Sequence, residues 1–285
     1  MNEIINGEIQ YPYSSLPDYE TKFGLKDKHD RMLVALLTFD QYCRDRDIKY
    51  SLADGTLMGA LRHGDFIPWD DDTDVMMTKE EYLKLRSSLT TESPIKLFKI
   101  SFLDRISTPE LLKEHEFIDL FINEDMPASK LVFGWMKFKT AFLRTSFRGM
   151  AENFRKRKFS KGKKILHGLL NHVSGIFARF IVGRRSVFEV NEKAVAIGKH
   201  KPSGMYTRFT SRMYETGRRF NKNSYDEGYG EVMFRGHSLM AIKNADTFLR
   251  EMYGDYTKML PEDKRIPEHV VDMLESGPSC ICKYN

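Results

Sequence analysis

The sequence predicts an α/β (α+β) protein, a mixed core interrupted by a basic helical insertion. Three observations carry this. Short apolar runs near 48–52, 72–77, 95–102 and 117–122 have the length and alternation of strands. Helical apolar stripes stand before and between them, in the order strand–turn–helix–strand–helix–strand that builds an α/β core. From Lys130 to Arg185 the texture changes: fifteen Lys and Arg stand against one acid, Glu152.

Asp27 to Asp45 reads as a helix, because Met32, Leu33, Leu36, Leu37 and Phe39 recur on one face. Ile48, Tyr50 and Leu52 alternate with polar residues and predict a strand. Gly55 and Thr56 break it and open a short apolar helix, Leu57 to Leu61. A loop with Gly64 and Pro68 precedes a second strand, Asp72 to Met77. Thr78 with Glu81 three residues on is a capping-box pattern for a helix reaching about Leu89. Ile95 to Phe102 and Phe117 to Ile122 are the next strands. In the basic stretch, apolar residues from Ile165 to Ile181 keep one helical face. Near the end, Asn244 is placed to cap a helix through Phe248 and Met252, with Gly254 at its close. The expected organisation is a catalytic core over 1–129, the basic helical insertion over 130–185, and a C-terminal part over 186–285 that completes the catalytic domain.

Charge divides the 285-residue chain in the same way. Outside 130–185 it holds 30 basic and 39 acidic residues, so the formal +5 averages an acidic body and a basic segment. No N-terminal signal peptide is legible, and the most apolar stretch, Leu166 to Val182, is interrupted by Asn171, His172 and Arg179. Cys43, Cys280 and Cys282 lack metal-ligand spacing and form no disulfide framework. A cytoplasmic protein is expected. The basic segment, interleaved with Trp135, Phe138, Phe142, Phe147, Phe154 and Phe159, has three readings: nucleic-acid binding, contact with an anionic membrane, or a helical subdomain with solvated charges.

The most informative stretch is Asp54 to Met77, DGTLMGALRHGDFIPWDDDTDVMM. Asp70, Asp71, Asp72 and Asp74 fall within five residues. On an extended chain Asp72 and Asp74 share a face. Like charges at about 4 Å repel by about 1 kcal/mol in water and about 4 at a protein-surface dielectric. Such a run entering the apolar strand Val75–Met77 calls for a cation, and hard oxygen ligands at this spacing suit Mg²⁺ or Mn²⁺. Asp119, alone among Phe117, Ile118, Leu120, Phe121 and Ile122, needs a partner or a metal. Asp72, Asp74 and Asp119 are therefore the expected metal triad and catalytic set.

The string Asp54 to His63, followed by Phe66 to Val75, resembles the LicD family of bacterial phosphocholine transferases, and is similar to the motif pair of the fukutin relatives that transfer ribitol phosphate. Ile118–Phe121 and Met252–Tyr256 add to the likeness. Phe234-Arg235-Gly236 departs from the family's Phe-Glu-Gly. The resemblance implies a nucleotidyltransferase (polymerase-β-like) fold. Gly55-Thr56 would follow its first strand, Asp72-x-Asp74 would lie on the next, and Asp119 would complete the site. A glycine lets backbone amides approach a phosphate. Gly55, Thr56 and Arg62 are expected near donor phosphates, with Arg62 as a surface residue the alternative. Trp69 is read either as a stacking platform for a base or choline headgroup or as a core aromatic. His63 receives no role as general base.

The expectation is a membrane-peripheral transferase. It takes a phosphate-linked group from a CDP-activated donor such as CDP-choline, delivers it to a hydroxyl of a glycan or lipid-linked glycan, and binds no nucleic acid. Two alternatives stand beside it: a nucleotidyltransferase that leaves the nucleotide on its acceptor, and a non-catalytic nucleic-acid-binding protein.

Overall fold

The computed structural model describes residues 3–5, 8–10, 18–100, 103–139, 201–208 and 218–267. Most of the expected basic insertion, including the stripe from Ile165 to Ile181, lies outside them. Strands β1 (Glu3–Ile5) and β2 (Glu8–Gln10) form a small antiparallel ribbon. Helices α1 (Tyr19–Phe23) and α2 (Lys26–Arg44) follow, then β3 (Ser51–Leu52), α3 (Asp54–His63), β4 (Asp74–Thr78) and α4 (Lys79–Ser88). Next come β5 (Lys96–Ile100), β6 (Leu103–Ser107), β7 (Ile118–Pro127) and helix α5 over 130–139. The described C-terminal elements are β8 (Pro202–Thr207), β9 (Arg219–Asn221), β10 (Tyr229–Phe234), β11 (His237–Ile242) and α6 (Ala245–Tyr253).

The main sheet is mixed, in the order β3-β4-β7-β6-β5, and β8 and β9 extend it from the far half of β7. Only β4 and β7 run parallel in it among the described strands, and that pair lies at its centre. Both read as near-continuous apolar runs, as strands covered on two faces should. Met32, Leu36, Phe39 and Cys43 of α2, Leu57 and Ala60 of α3, and Tyr82 and Leu85 of α4 join the strands in one core. Gly59 lets the following loop close onto α3: a Cβ there would sit 2.5 Å from the Asp65 carbonyl and 3.0 Å from the Ile67 amide. The hairpin β10–β11 turns on Arg235-Gly236, both at positive φ (48° and 80°), as a two-residue turn between right-twisted strands requires.

Several elements differ from the sequence reading. The expected strand 95–102 ends at Ile100, and the chain doubles back as β6, whose Asp104 and Arg105 are buried. Gly55 and Thr56 do not form a turn ahead of the helix. Helix α3 opens at Asp54 (φ 41°), directly after the extended Ala53, so both residues belong to its first turn. Thr78 caps α4 by accepting from the Glu81 amide. The reciprocal half of the box is absent, since the Glu81 carboxylate accepts instead from the Lys49 amide at 2.8 Å. Asn244 precedes α6, but its side chain donates to the Asn223 carbonyl.

Candidate active site

The parallel pairing of β4 with β7 places Asp74 opposite Asp119, and the Asp119 amide donates to the Thr73 carbonyl at 2.8 Å. Asp72 stands two residues before Asp74 and so on the same face. The result is a convergence: one carboxylate oxygen from each of Asp72, Asp74 and Asp119 lies within 4.8 Å of the others. Register alone achieves this, from residues 45 positions apart in the chain.

The backbone of the acidic run is held from two helices. From α2, the buried His29 donates through Nε2 to the Asp70 carbonyl at 2.7 Å, contacts Glu20 through Nδ1, and stacks on Phe66 at 4.5 Å. From α3, Thr56 Oγ1 accepts from the Asp74 amide at 2.8 Å. Gly55 leaves space for the run, since a Cβ would lie 2.4 Å from Asp70 Oδ2.

Electrostatics follow from this crowding. Burial, then the neighbouring charges of Asp72, Asp54, Asp119 and Asp70, push the Asp74 carboxyl well above the usual range. Burial and then Asp72 do the same to Asp70. Asp119 has a partner of its own in Arg105, whose Nε donates at 2.6 Å while its guanidinium lies over the Phe117 ring. Asp54 is likewise partnered. Its two oxygens accept from Arg208 Nη1 at 2.5 Å and from the Tyr253 hydroxyl at 2.6 Å, and Arg208 is fully buried over Phe121. Carboxylate repulsion thus remains least offset at Asp74. Three hard oxygen donors within 4.8 Å of one another fit a divalent cation, whose charge would reverse that repulsion.

The other residues singled out in the sequence are differently placed. Arg62 is buried rather than on the surface; its guanidinium donates to the Tyr256 carbonyl at 3.2 Å and contacts the Met58 and Met259 sulfurs. Trp69 is buried too, edge-on to Tyr19 at 5.3 Å, with the Arg265 guanidinium 5.7 Å from its ring centroid. This is the core-aromatic reading. At His63, burial and then Arg62 push the pKa down to about 3. Sequence reasoning missed His29, Asp54, Arg105, Arg208 and Tyr253. Asp54 had a signal, as the acid opening the motif string; Arg208 had none, being 154 residues away from its partner.

The carboxylate triad stands at the start of a parallel strand pair, beside the N-terminus of a helix, an arrangement suited to phosphoryl-transfer chemistry. Residues 47–140 match the family model described as LicD/FKTN/FKRP, nucleotidyltransferase domain, and this segment contains all three acids. The chain is similar to "Lipopolysaccharide cholinephosphotransferase LicD" of Haemophilus influenzae, 25% identical over 272 residues, 87% of this chain and 97% of that one. It also resembles "Uncharacterized protein RP689" of Rickettsia prowazekii, 32% identical over 82 residues, 28% of this chain and 31% of that one. Residues 47–140 therefore form a LicD family domain, and the likeness along most of both chains supports a LicD-like phosphotransferase.

Proposed function

We propose that the protein is a metal-dependent transferase of the nucleotidyltransferase (polymerase-β-like) fold. It moves phosphocholine or a similar phosphate-linked group from a CDP-activated donor to a hydroxyl of a cell-surface glycan or its lipid-linked precursor. The observation that carries this reading is the convergence of Asp72, Asp74 and Asp119 within 4.8 Å. The similarity to a cholinephosphotransferase along most of both chains supports the choice of headgroup and of a glycan acceptor.

Asp72, Asp74 and Asp119 would hold Mg²⁺ or Mn²⁺, which when bound stabilises charge on attacking and leaving oxygens. The acceptor hydroxyl oxygen bonds to the phosphorus that carries the headgroup. The bond from that phosphorus to the oxygen shared with the nucleoside monophosphate breaks, and the monophosphate departs with the electron pair. The hydroxyl proton passes to a carboxylate of the cluster. Thr56 and His29 fix the backbone of the acidic run and Gly55 gives Asp70 its space; Arg62 ties α3 to the Tyr256 carbonyl and Trp69 packs against Tyr19. The described C-terminal elements complete the catalytic unit, as the pairing of β8 with β7 suggests. Attachment is peripheral, at the cytoplasmic face; no described helix is long and apolar enough to cross a membrane.

The test is incubation with CDP-choline and other CDP-activated compounds, a glycan acceptor and Mg²⁺ or Mn²⁺, with or without chelator. Cation-dependent release of CMP and transfer of the headgroup are expected. Nucleotide retained on the acceptor would select the nucleotidyltransferase alternative, and full turnover in excess chelator would defeat the metal assignment.

A further inference from the structure

Helix α5 follows the central strand β7, entered through Ala128, whose amide donates to the Lys201 carbonyl at 2.9 Å. Its inner side faces the body: Met136 is buried, and Phe133 is half-buried beneath the Arg219 guanidinium at 5.0 Å. The outer side carries Leu131, Trp135 and Phe138, exposed by 86%, 56% and 60%. Their spacing is i, i+4, i+7, which sets all three on one helical stripe. The Trp135 and Phe138 rings stack at 5.6 Å, so the stripe is a continuous apolar surface rather than scattered side chains. Lys130 and Lys137, also exposed, lie along one side of it, Lys137 with its ammonium 5.6 Å from the Phe133 ring centroid, and the sequence holds no Asp or Glu between Asp125 and Glu152.

The chemistry of this face selects its occupant. A second copy would bring the same basic helix, and a segment with fifteen Lys and Arg against one acid repels itself. An anionic bilayer surface answers both features at once: the apolar stripe enters the headgroup–acyl boundary, where Trp favours its amphipathic ring, and the lysines meet anionic headgroups.

We propose that the Leu131–Trp135–Phe138 face of α5 inserts into the surface of anionic lipid bilayers. Insertion ties the C-terminal end of β7, from which α5 leads off, to the membrane surface.

The experiment uses the full chain with phosphatidylcholine vesicles, with or without about a third phosphatidylglycerol, at low and high salt. Co-sedimentation should require the anionic lipid and weaken with salt. Vesicles with brominated acyl chains should quench Trp135 in the unmodified protein and leave the buried Trp69 unquenched; Trp135→Phe should abolish the quenching. Leu131→Ser/Trp135→Ser/Phe138→Ser should lower vesicle affinity at least tenfold. Binding indifferent to lipid charge, or vesicle binding without Trp135 quenching, would overturn the proposal. So would a dimer in which Trp135 is protected, or salt-sensitive oligonucleotide binding by the same face in place of lipid. Because the readout is lipid binding, vesicle binding without turnover would count against the proposed function alone.

Discussion

Replacing Asp74 by Asn should stabilise the protein in chelator and abolish its stabilisation by cation. The side chain keeps its shape and loses its charge. Two unit charges at the 4.8 Å limit of this cluster repel by about 3.5 kcal/mol at an effective dielectric constant of about 20. Asp74 faces both Asp72 and Asp119, but Arg105 offsets Asp119, and partial protonation of Asp74 relieves some of the repulsion. A net gain of about 1–3 kcal/mol follows for the variant without cation. The pH dependence has a definite sign. The folded-state pKa of Asp74 is raised, so its contribution to stability is fully present below the unfolded carboxylate pKa and is lost as pH rises through the folded value. The variant's advantage in chelator should therefore grow from pH 5 to pH 8. Cation at about 100 times its Kd should stabilise the parent by about 2.7 kcal/mol and leave the variant unchanged. Urea unfolding at both pH values, in chelator and in Mn²⁺, reads all four arms. A variant less stable than the parent in chelator at pH 8, or one that gains equally from cation, would refute the reasoning.

Gly59→Ala should destabilise by about 1–3 kcal/mol in urea, because its Cβ meets the Asp65 and Ile67 backbone rather than a movable side chain. Arg208→Met should lower stability by up to about 3 kcal/mol, because the buried Asp54 carboxylate loses its close ion pair and keeps only the longer one to Arg218 at 3.6 Å. Adding Asp54→Asn should recover much of that loss in a double-mutant cycle measured by urea unfolding. Cys43 is fully buried, and burial pushes its thiol far above the usual range. In a Cys280→Ser/Cys282→Ser background it should stay unlabelled by a thiol reagent at pH 8 until denaturant unfolds the chain.

The residues of the triad were legible because their signals were local. The alternation of Asp72 and Asp74, and a lone Asp119 in an apolar run, both follow from strand geometry. The parallel register that joins them was not local, and neither was β6. Its sequence, Leu103 to Ser107, carries Asp104 and Arg105 where an isolated strand would be expected to show them to water. Both are buried because Tyr82 donates to Asp104 at 3.0 Å and Asp119 accepts from Arg105. The turn of β10–β11 was missed because Arg at positive φ is an uncommon choice. Arg235 holds that place with its amide on the Gly64 carbonyl and its guanidinium 3.3 Å from Asp30 and 3.5 Å from Glu20. Where the resemblance implies the glutamate of Phe-Glu-Gly, Arg235 thus replaces an acid by a base at a position surrounded by acids.

That replacement bears on the site through a short chain of contacts. Glu20 lies within reach of Arg235 and touches His29, and His29 in turn holds the carbonyl of Asp70. A buried imidazole with a carboxylate on one nitrogen and a carbonyl on the other has its orientation set from both sides. The start of the acidic run is therefore fixed by α1, α2 and the β10–β11 turn, while its end is fixed by Thr56 on α3 and by the ladder with β7. None of these restraints relieves the repulsion between carboxylates. They hold the backbone in place while the charges remain opposed, so relaxation by moving the chain is expensive and neutralisation by a proton or a cation is the accessible route. A divalent cation would compete with the proton for the same oxygens, and a backbone so restrained would hold them together before it arrives. The supporting residues that no motif marked are thus the physical reason that the marked ones form a site.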